Sequence, residues 1–270
     1  MPELPEVETT RRGILPHIQG LRVQQVIVRQ PKLRWPVSPE LVQLAGEPLR
    51  DIARRGKYLL FSFDRGIVLA HLGMSGSLRI LESEKPADAH DHLDWVFENG
   101  ITLRYHDPRR FGAWLWWDGE STGHPLLESL GPEPLEPDFT AQYLYRTSRG
   151  RKVPVKSFVM NSHVVVGVGN IYANEALFSA GISPLRAAGR ISLERYQRLV
   201  ESIRKILEDS IRQGGTTLRD FVGGDGKPGY FQQTLQVYGR AGAPCLKCGE
   251  SLCEIRLGQR TTVFCKVCQT

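Results

Sequence analysis

The sequence predicts an α+β multidomain chain: an antiparallel β-sandwich or barrel first, a helical region second, and a small metal-braced module last. Three observations carry this. Strand-like runs separated by turn signals dominate up to about residue 130, and no long helices alternate with them, which argues against a parallel sheet. Helical periodicity takes over from about residue 136. All five cysteines (Cys245, Cys248, Cys253, Cys265 and Cys268) fall within the last 26 residues.

The opening, "MPELPEVETT", places two prolines and three glutamates in its first eight positions. It has neither the basic stretch nor the apolar run of a signal sequence. Pro5 with acids behind it describes a helix start, and the helix is expected over about Val7–Ile18. Strands follow. "LRVQQVIVRQ" alternates, and "KYLLFSFDRGIVLAHLG" reads as a hairpin turning at Asp64-Arg65-Gly66. "DWVFENGITLRYHD" holds Asn99-Gly100 between two strand-like runs, the strongest short hairpin signal. "FGAWLWW" is a further apolar strand.

In the second region, "SLERYQRLVESIRKILEDSIRQGG" repeats Leu193, Tyr196, Leu199, Val200, Ile203, Ile206, Leu207 and Ile211 at three- and four-residue steps. Ser192 is placed to cap that helix and Gly214-Gly215 to stop it. "GVGNIYANEALFSAGI" reads as a glycine turn, a helix from about Ile171, and a stop at Gly181.

The cysteines are spaced C-x2-C-x16-C-x2-C, so Cys245, Cys248, Cys265 and Cys268 can close one tetrahedral Zn2+ site. Four thiolates leave no open coordination position, so the ion is structural. Cys253 is left over and is expected as a small buried apolar side chain. Between the pairs, "EIRLGQRTTVF" reads as a β-hairpin presenting Arg256 and Arg260, either as solvated charges or as phosphate contacts.

A formal charge of +6 and a pI near 9.1 fit an anionic partner without requiring one. No apolar run approaches the roughly 18 residues needed to span a membrane, so no membrane partner is expected. Reduced cysteines place the chain in the cytosol. From Phe139 to Asn174, 36 residues pass without an acid while Arg146, Arg149, Arg151, Lys152 and Lys156 occur. "GVGN" beside this stretch opens a helix whose free N–H groups suit a phosphate. Met74 in "HLGMSGSL" and Phe111 in "HDPRRFGAW" would each be core residues if taken singly. Exposed at loop tips beside a basic surface, they would instead serve as wedges into a duplex.

"PELPEVET", "RRGKYLL", "HLGMSGSLR", "DPRRFGAW", "LGPEPL", "VVGVGNIYANEALF", "QGGTTLRDF", "DGKPGYFQQTLQVYGR" and the closing cysteine pairs stand in order over the whole chain. In these motifs the sequence resembles the bacterial formamidopyrimidine-DNA glycosylases, also called 8-oxoguanine DNA glycosylases. The resemblance implies an N-terminal β-sandwich (1–135), a helical domain with a helix–two-turn–helix element (136–234), and a C-terminal zinc finger (235–270). It implies a monomeric base-excision repair enzyme acting on double-stranded DNA that contains oxidised purines. After excision the enzyme would cut the strand at the abasic site by β,δ-elimination.

By the same resemblance, Met1 is removed and the secondary amine of Pro2 is the nucleophile. An α-amino group titrates near 8 and a lysine near 10.4, so at pH 7.5 roughly a quarter of the former is free against about a thousandth of the latter. Glu3 is the implied general acid/base, with Glu6 as an orienting or water-positioning residue. Lys57 and Arg260 match the proton donors for β- and δ-elimination. Arginine is a poor acid, so Arg260 is expected chiefly to neutralise the leaving phosphate. His71, His90, Arg109, Arg151 and Asn170 match DNA contacts. Met74, Arg109 and Phe111 match a void-filling trio, with Arg109 facing the orphaned cytosine. Residues 216–231 match a loop that closes over the extruded base.

Two rivals stand beside this reading. The sister endonuclease VIII enzymes, which act on oxidised pyrimidines, share the terminal proline, the glutamate and the finger. "PELPEV" and the Arg109–Phe111 loop favour the purine enzyme. The other rival is a zinc DNA-binding protein with no chemistry.

Overall fold

The computed structural model describes residues 2–82, 85–119, 123–215 and 235–270. The stretch 216–231, read above as a closing loop, lies outside them. The chain divides into two compact units, Met1–Glu128 with Gln213–Tyr230, and Ser129–Arg212 with Phe231–Thr270.

The first unit opens with α1 (Leu4–Ile18), which starts three residues before the expected Val7. A helix's first turn needs no internal N–H partners, so Pro5 begins it instead of breaking it. The strands are β1 (Val23–Val28), β2 (Asp51–Arg55), β3 (Tyr58–Phe63), β4 (Gly66–His71), β5 (Ser77–Leu81), β6 (Asp91–Phe97), β7 (Thr102–His106) and β8 (Ala113–Trp117), followed by the short helix α2 (Pro125–Glu128). They form two four-stranded sheets, ordered β2-β3-β4-β8 and β1-β6-β7-β5, with every pairing antiparallel. The expected hairpin at Asp64-Arg65-Gly66 joins β3 to β4, and Asn99-Gly100 joins β6 to β7.

What makes this a sandwich is an aromatic cluster shared by the sheets. Phe61 and Trp114 come from one sheet, Trp95 and Tyr105 from the other, and all four are fully buried. Trp95 meets Phe61 edge-on at 5.0 Å and Trp114 at 5.3 Å between ring centroids. Tyr105 meets Trp114 at 5.3 Å. Edge-to-face pairs at this spacing add to the stabilisation from buried area. Helix α1 packs on β2, β3 and β5, and this carries the chain's first residues onto the sandwich.

The second unit contains α3 (Ala141–Ser148), α4 (Val155–Val159), α5 (Asn170–Ser179), α6 (Leu193–Arg212), β9 (Cys253–Leu257) and β10 (Arg260–Phe264). Helix α5 is buried on nearly every side, as its run of apolar and small residues requires. Helix α6 turns Tyr196, Leu199, Val200, Ile203 and Leu207 inward, while Leu193 at its first turn is exposed. Ser192 caps it through the backbone N–H of Arg195, at 3.3 Å. Strands β9 and β10 form the expected hairpin. No helix among the described residues is long and apolar enough to cross a membrane.

Replacing Trp95 with alanine removes the ring that touches both sheets. The expected loss is about 3–5 kcal/mol, read from the urea midpoint at unchanged slope.

Candidate active site and metal centre

The first turn of α1 assembles one cluster. Pro2, Glu3 and Glu6 are all buried. Glu3 is the N-cap, and its backbone N–H donates to the Glu6 carboxylate at 2.8 Å, part of a capping box between the two glutamates. Glu6 is thus placed by the helix start itself, which fits an orienting residue. Gly215 closes on it from outside the helix: a Cβ there would lie 3.3 Å from Glu6 Oε1, and φ is +81°. A left-handed glycine is needed for that approach.

Lys57 occupies the turn between β2 and β3, where Arg55 pairs with Tyr58. This turn is tied to α1 through Glu8, a residue not singled out from the sequence. The Glu8 carboxylate accepts from Arg11, Arg12 and Arg54, and Arg54 also donates to the carbonyl of Gly56 at 3.2 Å. Burial alone would raise the Glu8 pKa. Hydrogen bonds from Arg11 and Arg12, with the Arg11 and Arg54 charges, outweigh burial and lower it to about 2.

His71 ends β4, beside Tyr58 and Ala113. Burial first, then the positive charges of Lys57 and Arg34, hold its imidazole at about pKa 4. It is therefore neutral near pH 7. Its Nδ1 accepts the backbone N–H of Gly73 at 2.9 Å, which leaves Nε2 as the protonated nitrogen and a donor for an anion.

Two neighbouring loops carry the residues expected above as wedges. Phe111 is 44% exposed, so the core expectation for it fails, and Met74 is half-buried. Arg109 is exposed, with its guanidinium 5.3 Å from the Phe111 ring centre. His90 is exposed near His92 and His106, at the edge of a recess of about 350 Å³ that Arg29, Gln30 and Arg110 also line.

The remaining residues belong to the second unit. Asn170 is the first residue of α5; its Nδ2 donates to the carbonyl of Thr261 at 3.1 Å, and its buried Oδ1 has no partner among the described residues. Arg151 is exposed. Two cations of the acid-free stretch are structural instead. Lys156 is buried and donates to the Thr261 carbonyl at 2.9 Å and the Thr262 hydroxyl at 2.6 Å. Arg149 stacks on Tyr145 and donates to the Ile191 carbonyl. Asn174 completes the grip on β10 by accepting from the Val263 N–H at 3.0 Å.

That grip positions Arg260. It follows a two-residue turn in which Gly258 and Gln259 have φ of 54° and 62°, as a type I′ hairpin demands. Arg256 and Arg260 are both exposed. Behind them, the sulfurs of Cys245, Cys248, Cys265 and Cys268 all lie within 4.8 Å of one another. Cys245 and Cys268 stand 3.9 Å apart, Cys248 and Cys265 3.5 Å. Thiolates about 2.3 Å from a tetrahedral ion would be about 3.8 Å apart, so the four residues fit a metal ion. Cys253 is half-buried at the start of β9, not buried as expected, because β9 alternates between half-buried and exposed positions and buries none of its residues.

Glu8, Arg54 and Asn174 lie inside the quoted motifs and Lys156 inside the acid-free stretch, but nothing local to them gives these contacts. Their roles arise from contacts between segments distant in sequence.

Comparison with known proteins places these features in one family. The model described as "Formamidopyrimidine-DNA glycosylase N-terminal domain" matches residues 1–114, and "Formamidopyrimidine-DNA glycosylase H2TH domain" matches residues 130–222. The chain is 58% identical to the formamidopyrimidine-DNA glycosylase of Marinobacter nauticus and 60% identical to that of Methylococcus capsulatus, each over the full length of both chains. Among solved structures it is similar to the MutM (Fpg) protein of Thermus thermophilus, with TM-score 0.88 and 39% identity over 99% of this chain and 98% of that one. It is also similar to Lactococcus lactis Fpg in complex with DNA containing an abasic site, with TM-score 0.92 and 34% identity over 99% of each chain.

The depressed His71 pKa has a consequence for stability. Below the unfolded value near 6.5, the unfolded chain binds a proton that the folded chain refuses until about pH 4, so this group lowers stability as pH falls through that window. His71→Gln stays neutral in both states. Urea midpoints measured from pH 6.5 to 4.5 should fall less steeply for the variant than for wild type.

Proposed function

The chain belongs to the formamidopyrimidine-DNA glycosylase family, and from that membership we infer that it excises oxidised purines from double-stranded DNA with Pro2 as the nucleophile. The observation that carries the assignment of Pro2 is its place: buried directly before α1, next to a buried Glu3 whose backbone is held by Glu6. With Met1 removed, the free amine attacks the anomeric carbon, a C–N bond forms, and the bond to the base breaks. Glu3 protonates the ring oxygen as the sugar opens, leaving an iminium on Pro2. The iminium acidifies the neighbouring carbon, the 3′ phosphate leaves, and elimination of the 5′ phosphate follows.

Glu6 orients Glu3. Lys57 serves proton transfer in the first elimination, and Arg260 neutralises the phosphate leaving in the second. His71, His90, Arg151 and Asn170 contact the DNA backbone. His71 does so as a neutral Nε2–H donor, which is consistent with its depressed pKa. Met74, Arg109 and Phe111 fill the place of the extruded nucleotide, Arg109 facing the orphaned cytosine. Under this reading residues 1–135 are the catalytic domain, 136–234 the helical DNA-binding domain and 235–270 the finger. The metal is one structural Zn2+ on Cys245, Cys248, Cys265 and Cys268, since an all-thiolate tetrahedral set suits zinc and leaves it no open position.

Borohydride added during the reaction should trap a covalent adduct with an 8-oxoguanine:cytosine duplex, and more of it than with a thymine glycol duplex. Pro2→Gly should trap far less. Absence of an adduct from wild type would remove the nucleophile, and a preference for the pyrimidine lesion would point to the endonuclease VIII class.

Stripping the metal should release one zinc per chain, measured colorimetrically. It should also weaken duplex binding at least about tenfold by fluorescence anisotropy, since a bound structural zinc contributes folding free energy that the apo hairpin lacks. Unchanged binding after complete zinc release would dismiss the finger's role.

A further inference from the structure

We propose that Asp107 is a positioning residue that clamps the Met74 loop and the Arg109–Phe111 loop into one rigid wedge, so that both enter the duplex together. The proposal rests on the assignment of Met74, Arg109 and Phe111 to void filling.

Asp107 is completely buried. Its Oδ1 accepts from the Ser75 hydroxyl at 2.7 Å and the Arg109 N–H at 3.3 Å. Its Oδ2 accepts from the Tyr105 hydroxyl at 2.8 Å and the Gly112 N–H at 2.9 Å. The Ser75 hydroxyl also accepts from the Arg109 N–H, at 3.2 Å, which closes a triangle between the two loops. The main chain of Asp107 is held as well: its N–H donates to the His90 carbonyl at 3.0 Å, and its carbonyl accepts from Arg110 at 3.1 Å and bonds His92 Nε2 at 2.8 Å.

Among the described residues no lysine or arginine pairs with this carboxylate. A buried carboxylate without a cation is costly unless its lone pairs are filled by hydrogen-bond donors. Here the donors come from three places, namely strand β7, the loop of Ser75 and the loop of Arg109–Gly112. The carboxylate is satisfied only when both loops are seated, and that requirement couples them.

Steric contact reinforces the coupling. A Cβ on Gly73, whose φ is +67°, would lie 2.4 Å from the backbone carbon of Phe111, and one on Gly112 would lie 1.7 Å from the Tyr105 hydroxyl. The loops therefore touch through bare backbone. Arg110 adopts φ 57°, a left-handed conformation that a non-glycine residue holds only where its surroundings enforce it. The exposed side chains of Arg109 and Phe111 and the half-buried Met74 thus stand on a base with few alternatives, and less ordering is left for DNA binding to supply.

Asp107→Asn keeps the shape but turns one acceptor into an N–H2 facing N–H groups of the wedge loops. Single-turnover excision of 8-oxoguanine opposite cytosine in a duplex should fall at least about tenfold, as a small misplacement remote from the chemistry can produce. The preference for cytosine over adenine opposite the lesion should shrink. Nicking of a single-stranded abasic oligonucleotide, which needs no wedge, should stay within about twofold of wild type. Ser75→Ala, which deletes one corner of the triangle, should move the same two readouts in the same direction by a smaller factor, and it carries the test should Asp107→Asn not fold. Duplex excision unchanged in both variants overturns the proposal. So does single-strand nicking that falls in parallel with duplex excision, since that marks general damage to the fold. Failure of the functional reading is separately visible as a wild-type enzyme that neither excises 8-oxoguanine nor nicks the abasic strand.

Discussion

A chain end is ordinarily the least ordered part of a protein, yet a chemistry that uses Pro2 requires its end to be as fixed as an interior residue. The burial of the first turn of α1 meets that requirement. Leu4 and Val7 are fully buried, and Glu3 and Glu6 are held in reciprocal contact at the helix start. The sandwich is the platform for this turn, and the aromatic cluster of Phe61, Trp95, Tyr105 and Trp114 joins its two sheets. Anything that loosens that cluster loosens the mount of Pro2.

Buried carboxylates perform the local fastening. Glu8 ties the helix to the turn carrying Lys57 through Arg54. Asp107 fastens the Ser75 loop to the Arg109–Gly112 loop through N–H and O–H donors. The two solve the desolvation of a negative charge differently, one with three guanidinium groups and the other with neutral donors. The second solution leaves the nearby cations Arg109 and Arg110 exposed instead of neutralised. In the second unit a buried lysine plays the corresponding part: Lys156, with Asn170 and Asn174, grips β10 and so aims the hairpin that bears Arg260.

Much of the fold was legible because its signals are local. The alternation of "KYLLFSFDRGIVLAH", the Asn99-Gly100 turn and the stripe of α6 each depend on neighbours within a few residues, and each element stands where the pattern puts it. The cysteine spacing is equally local. The expected start of α1 at Val7 falls three residues late, since its first turn is set by Pro5 and the Glu3–Glu6 capping box and not by the apolar period. The acid-free stretch misled in part: a run of cations reads as one surface, whereas Lys156 is buried and Arg149 braces the backbone.

By itself, the sequence determined the fold class, the four thiolates of the metal site and the family, because spacing and long motifs survive without coordinates. Only the tertiary structure decided which charges are exposed and which are buried, that His71 is neutral, and that Asp107 joins two loops separated by about thirty residues. Burial and hydrogen bonding between distant segments set those properties, and neither is a function of local sequence.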